Sequence, residues 1–343
     1  MRNQQKNFTS IVMFIVSILI LSSCVPAKQA LPDPAGLPSL FDAAGTEGNS
    51  AGAAPWQEYY NDPDLKALIE ECLANNQEFK INAQRVNAAG YLVQARTGEF
   101  LPFVNFSGAA DREKVGHYTR NGSVESQLTI AGEEFPEPLN NFLGDIRVSW
   151  ELDLWKKLRN ERKAARNEFL ASQEGQHLLT TSLVAEVARL YYELLALDAQ
   201  IVLIQQNVDI QENALKIVKL QKLAGETTEL AVKRFEAELA KNKGYIFQLR
   251  QKITVTEREM NFLLGRASGE IRRNDNSFEG ILSKSTAVGT PADMIANRPD
   301  VKKAEFELEA AKLDVKAARA AFLPIVGLGG SLGLNAFDTK YLL

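Results

Sequence analysis

The chain has little of what metal and redox chemistry needs. It carries only two cysteines and two histidines in 343 residues. Cys24 and Cys72 lie far apart, so neither a disulfide framework nor a zinc site has support. His117 and His177 stand without a nucleophile or metal partner. No glycine-rich phosphate loop follows a strand pattern, and no catalytic motif of the usual kinds is present. Basic excess is missing too: the formal net charge is −4, which gives nucleic acid no surface to bind. These absences predict no enzyme, no cofactor and no metal. The composition, 45% hydrophobic and 24% charged, is that of a folded protein long enough for two ordinary domains.

Helix breakers are missing over a long interior run. Lys156 to Ala224 contains no proline and one glycine, Gly175. Apolar residues fall there at Leu183, Val187, Leu190, Leu194, Leu197, Ile201, Ile204 and Val208, alternately four and three apart, a heptad seam. A second stripe runs Val184, Tyr191, Leu195 and Val202, so the helix should have neighbours on two sides. At ~1.5 Å per residue such a helix would be about 100 Å long. Gly225, Glu226, Thr227 and Thr228 break the pattern. It resumes at Val232, Phe235, Leu239, Ile246, Leu249, Ile253, Met260 and Leu263 and ends at Gly265. Residues 156–264 therefore read as a helical hairpin, with its tip at Gly225–Thr228. Gly225 suits the position just past a helix end, and Thr227 or Thr228 could cap the next helix.

What is present includes an internal repeat. Ala88-Ala89, Val93, Ala95 and Phe100-Leu101-Pro102 recur at Ala310-Ala311, Val315, Ala317 and Phe322-Leu323-Pro324, with a constant offset of 222 residues. In each copy an Ala-rich helical run meets Phe-Leu-Pro and passes into a strand-like stretch. Pro102 and Pro324 are read as helix–strand junctions, since proline cannot continue helix hydrogen bonding and tolerates a strand start. Ile146, Val148, Trp150 and Leu152 alternate with Arg147, Ser149 and Glu151. That suits a half-buried strand or a membrane strand with lipid on its apolar side. Strands are expected at about 103–112 and 144–154, with Ala110 to Asn141 as a long polar surface loop. Two such hairpins give four strands, which cannot close a lumen. A membrane strand needs a partner on both edges, so the chain must oligomerise, and three copies would make a twelve-stranded barrel.

The N-terminus reads as a targeting segment. Arg2 and Lys6 precede an apolar run from Ile11 to Leu21, too short to span a bilayer comfortably. Leu21-Ser22-Ser23-Cys24 resembles a bacterial lipobox. Residues 1–23 are then the signal peptide, and Cys24 is the acylated first residue. An ordinary signal peptide or an uncleaved anchor are the alternatives. Val25, which is not an aspartate, favours the outer membrane. Residues 26–55 are rich in proline, alanine and glycine, and 24–55 read as a lipidated tether.

Taken in order, these motifs resemble the TolC-type outer-membrane factors, particularly the OprM or NodT-like lipoprotein branch. The resemblance is carried by Cys24, Trp56, Tyr60, Asp62-Pro63, Leu65, Asn75-Asn76, Arg96 and Phe100-Leu101-Pro102. It continues through Trp150-Glu151-Leu152-Asp153-Leu154, Ala185 to Tyr192 and Leu263-Leu264-Gly265. Arg298-Pro299-Asp300-Val301, Ala304-Glu305, Ala310-Ala311 and Ala318-Arg319-Ala320 complete it. Arg298-Pro299-Asp300 also reads simply as a helix start.

The resemblance implies a mainly α fold with membrane β: a long α-helical coiled-coil barrel plus outer-membrane β-barrel strands, in two repeats, closed only as a homotrimer. It implies a passive exit duct of a tripartite efflux pump, partnered by a periplasmic adaptor and an inner-membrane transporter. Gly225, Glu226, Thr227 and Thr228 would be the partner-binding tip. Ile146, Val148, Trp150 and Leu152 would face lipid, and Cys24 would hold the outer-membrane anchor. A protein-secretion duct of the same fold, or a structural periplasmic coiled-coil lipoprotein, are the alternative readings. The first repeat is placed at residues 56–297, with 265–297 connecting, and a truncated second repeat at 298–343. The chain is thus expected to be a fragment, a frameshifted gene or a pseudogene product that does not form a functional duct by itself. Its gate residues would lie in the missing half, and its substrate cannot be read.

Overall fold

The computed structural model describes Gly36 and residues 55–130, 132–273 and 295–342. Cys24, the signal segment, most of the tether and most of the connecting region lie outside the described residues. The elements are α1 (Trp56–Tyr59), α2 (Pro63–Asn75), α3 (Gln77–Gly98), β1 (Phe103–Glu113), α4 (Arg120–Glu125), β2 (Thr129–Ile130), β3 (Glu133–Glu134), β4 (Leu139–Glu151), α5 (Lys157–Leu223), α6 (Glu229–Leu263), α7 (Pro299–Ala320) and β5 (Gly327–Ala336). They form two compact units, Gly90–Asn167 with Leu308–Leu343, and Pro32–Ala89 with Glu168–Glu307. Each unit takes chain from both sides of residue 297/298, where the second repeat was expected to begin.

The first unit holds an antiparallel sheet in the order β1–β4–β5. Its register puts Phe106 opposite Ile146 and Ile146 opposite Leu332, Val104 opposite Val148, and Trp150 opposite Leu328. Side chains alternate along a strand, so these residues share one face. Asn105, Ser107, Asp145, Arg147, Ser149, Ser331 and Asn335 share the other. The repeat offset of 222 is even, so Phe106 and its counterpart Leu328 fall on the same face.

Two expectations for this unit are corrected. Ala110 to Asn141 is not one loop: β1 runs to Glu113, β4 starts at Leu139, and α4 and a β2–β3 ladder lie between. Backbone pairing across the hairpin extends the strands past the alternating stretch. The second expected strand ends at Glu151, so Leu152 lies beyond it and is half-buried. The cause is Asp153, whose carboxylate accepts the Leu158 and Arg159 N–H groups at 2.9 and 3.1 Å and turns the chain into α5. Lys156 takes a positive φ of 63° in that turn.

The second unit is helical. Leu65, Leu68, Ile69 and Cys72 of α2 pack with Leu183, Val187, Leu190, Tyr191 and Leu194 of α5 and Met260 of α6. Tyr191, from the second stripe, is fully buried, and its hydroxyl donates to Asp62 at 2.7 Å. Asp62 also accepts from the Asp64 N–H at 2.9 Å, capping α2, where Pro63 occupies the first position. The stripe is buried at Val184 and Leu195 but exposed at Val202, and on α6 Phe235 is exposed as well.

Beyond the core, α5 and α6 run antiparallel and are joined by polar pairs: Gln211 with Asn242 at 3.0 Å, Glu212 with Lys243 at 2.6 Å and Lys219 with Glu236 at 2.9 Å. The base is clamped by arginines. Arg266 binds Glu71 at 3.0 Å, and Arg273 joins Asp198 on α5 to Glu257 on α6. The hydrogen bond to Asp198, more than any other influence, holds the Arg273 guanidinium above its ordinary pKa. Among the described residues no helix is long and apolar enough to cross a membrane.

Candidate functional site

Three features carry the candidate function: the hairpin tip, the two-faced sheet and the helix–strand junctions. At the tip, α5 ends in two backbone bonds, Gly225 N–H to Lys222 C=O at 3.0 Å and Glu226 N–H to Gln221 C=O at 2.9 Å. This is a Schellman ending, and Gly225 supplies its left-handed residue with a φ of 78°. Thr228, rather than Thr227, caps α6. Gly225, Glu226 and Thr228 are exposed, as are Leu220, Leu223 and Leu230 beside them. Lys222 pairs with Glu229 across the turn. Lysines hold nearby carboxylates below their ordinary pKa; hydrogen bonds from Lys233 and Lys219 draw Glu236 down to about 2.

The same ending recurs at Gly265, with a φ of 71° and N–H bonds from Gly265 to Phe262 C=O and from Arg266 to Asn261 C=O. Here the glycine is also a packing requirement, because a Cβ would come within 2.6 Å of the Asn75 carbonyl oxygen. The Leu263 carbonyl accepts from Asn76 Nδ2 at 2.9 Å and from Cys72 Sγ at 3.3 Å. Asn76 Oδ1 accepts the Phe79 N–H at 2.9 Å. Burial pushes the Cys72 thiol up to about 11.

On the sheet, Ile146, Val148 and Trp150 are exposed together with Val104, Phe106, Leu328, Leu332 and Leu334. A face of exposed leucine, isoleucine, valine and aromatics this size asks for an apolar neighbour. The opposite face is polar. There Ser107 donates to Asp145, and Gly333 leaves room for it, since a Cβ would lie 2.7 Å from Asp145 Cβ. β1 and β5 each have one edge without a strand partner among the described residues.

The structure ties both junction prolines to one segment. Trp150 Nε1 donates to the Phe100 carbonyl at 2.9 Å, two residues before Pro102. Trp155 Nε1 donates to the Pro324 carbonyl at 2.8 Å. Trp150 near the end of β4 and Trp155 just after it thus fasten the two Phe-Leu-Pro copies. Sequence reasoning placed the prolines but not these bonds; the signal was two tryptophans five residues apart at the strand end. It also passed over Asp153, Arg266 and Arg273 as structural groups. His177 lies 3.3 Å from Glu174 and His117 3.7 Å from Glu137, and no group of metal-binding side chains occurs among the described residues.

The profile of the outer membrane efflux protein family matches residues 68–266 and 290–340, and the chain belongs to this family. It is 28% identical to the pyoverdine export outer membrane protein OpmQ of Pseudomonas putida over 335 residues, 95% of this chain and 69% of that protein. It is 25% identical to the cation efflux system protein CusC of Escherichia coli over 289 residues, 84% of this chain and 59% of that protein. Its fold matches a crystal structure of CusC with a TM-score of 0.73 at 23% identity, covering 93% of this chain and 68% of that one. The open-state structure of the MtrE outer membrane channel of Neisseria gonorrhoeae matches with a TM-score of 0.76 at 20% identity, over 93% and 68%. The mainly helical architecture with few strands is that of outer membrane channels.

Proposed function

We propose that the protein is the outer-membrane component of a tripartite efflux pump, a passive duct for small molecules that performs no chemistry. The observation that carries this is the sheet with one apolar and one polar face, continuous with long helices. In lipid every backbone group needs a partner, so the open edges of β1 and β5 require further strands. Closure by three copies as a homotrimer satisfies them. Ile146, Val148 and Trp150 then face lipid, Leu152 marks the border, and Asp145, Arg147 and Ser149 face water. Cys24, acylated after removal of residues 1–23, supplies a second hold on the outer membrane, with 24–55 as its tether.

The exposed tip Gly225–Thr228, flanked by apolar Leu220, Leu223 and Leu230, docks the periplasmic adaptor, which links the duct to an inner-membrane transporter. In an efflux-deficient strain that keeps the matching adaptor and transporter, the natural gene should restore tolerance to exported compounds. Outer-membrane insertion without any restored export would count against the efflux role and leave a structural one. The exported compound is not specified by the chain, since a passive duct does not select cargo through a motif.

A further inference from the structure

Helix α5 begins unlike the other helices, the six-residue α4 excepted. Helices α1, α2, α3, α6 and α7 each place an acid in the first turn: Glu58, Asp64, Glu78, Glu229 and Asp300. That is where a negative charge complements the helix dipole. Helix α5 has none. Its first three turns instead carry Lys157, Arg159, Arg162, Lys163 and Arg166, with Lys156 in the turn before them. Lys157 and Arg159, in the first turn, oppose the dipole, so dipole stabilisation does not explain them.

Four of the five within the helix lie on one face. At about 100° per residue, Arg159, Arg162, Lys163 and Arg166 fall within roughly 100° of the helix circumference. Outside this arc Leu158, Ala164 and Ala165 are buried. Lys157 lies apart and pairs with Glu151 at 2.8 Å. Arg159 stands 3.6 Å from Asp153, a carboxylate already accepting two backbone N–H groups. Lys156, Arg162, Lys163 and Arg166 make no ion pair among the described residues.

The stripe is continuous with the apolar face of the sheet. Trp150, on that face, bonds the Phe100 carbonyl, and the Phe100 ring lies under Arg162 and Arg159 at 5.3 and 5.8 Å. Around this point Leu101, Leu154, Trp155, Phe322 and Ile325 are exposed. Tryptophans, then cations, is the order that a chain meets on leaving hydrocarbon through a headgroup layer.

We propose that the stripe Arg159–Arg162–Lys163–Arg166 binds anionic phospholipid headgroups of the leaflet bordering the helix–strand junctions. This rests on the sheet being inserted in the bilayer. Charge complementarity decides the occupant, because four to eight clustered cations beside a membrane segment recruit anionic lipid and zwitterionic lipid gives them nothing to neutralise. The lipid would hold the first turns of α5 at a fixed height and relieve the repulsion that the stripe creates.

The test uses the full chain reconstituted in vesicles of phosphatidylcholine with added phosphatidylglycerol. Spin-labelled lipids of each class report which one surrounds the protein. The wild-type chain should enrich phosphatidylglycerol several-fold, with the enrichment falling as salt is raised. Lys163→Gln with Arg166→Gln, which leaves the Phe100 contacts intact, should reduce it at least twofold, and Lys163→Arg with Arg166→Lys should restore it. Protease protection of the sheet reports insertion separately. A chain that inserts but surrounds itself equally with both lipids overturns the proposal and leaves the membrane reading standing. A chain that never inserts overturns both. Loss of the preference in millimolar inorganic phosphate would assign the stripe to a free anion and overturn the lipid.

Discussion

At the residue scale, two glycines with one backbone role separate conformation from packing. Gly225 and Gly265 both end a helix with positive φ, but only Gly265 has a neighbour where its Cβ would go. Gly225→Ala should cost about 1 kcal/mol, the usual penalty for a left-handed alanine. Gly265→Ala adds a clash with Asn75 and threatens the bonds from Asn76 and Cys72 to Leu263, so it should cost at least twice as much, in the range of roughly 2–4 kcal/mol. Denaturant unfolding of the two variants checks the ranking; equal losses would contradict the Asn75 contact. Cys72 offers a second check. Its thiol is buried and raised to about 11, so maleimide should label it slowly in the native protein at neutral pH and fast after unfolding.

Elements divide by how local their cause is. The hairpin expected at 156–264 is found as Lys157–Leu223 and Glu229–Leu263, because heptad spacing, missing proline and the Gly225 stop all act within a few residues of one another. Pro102 and Pro324 were legible for the same reason. The start of β4 was not, since Leu139 to Leu143 are fixed by pairing with Ala109 to Glu113 and not by their own alternation. Leu152 failed because one capping carboxylate outranked the last step of the alternation. Phe235 kept the spacing of a seam residue and yet is exposed: spacing says that a face is apolar, not what covers it.

Two predictions belong to the hairpin. Reversing charge at Glu226 should weaken adaptor cross-linking without changing oligomer formation; unchanged cross-linking would remove the tip from the partner surface. The tip carboxylates also set a pH dependence. The folded-state pKa of Glu236 is depressed, so its contribution is present above the ordinary carboxylate value of about 4.3 and is lost as pH falls toward about 2. Hydrogen exchange in the distal hairpin should therefore speed up across that window, while exchange in the α2–α5–α6 core changes less.

On the scale of the whole molecule, the central claim is that the β1–β4–β5 sheet sits in the outer membrane with Ile146, Val148 and Trp150 toward lipid. Neighbouring positions on β4 test it most directly, because Val148 and Ser149 differ by one residue and face opposite ways. In outer membranes carrying the protein, a polar maleimide should label Ser149→Cys readily and Val148→Cys scarcely, while a spin label at 148 should be quenched by dissolved oxygen and one at 149 by a water-soluble nickel complex. Equal labelling and equal quenching at both positions would contradict the membrane assignment.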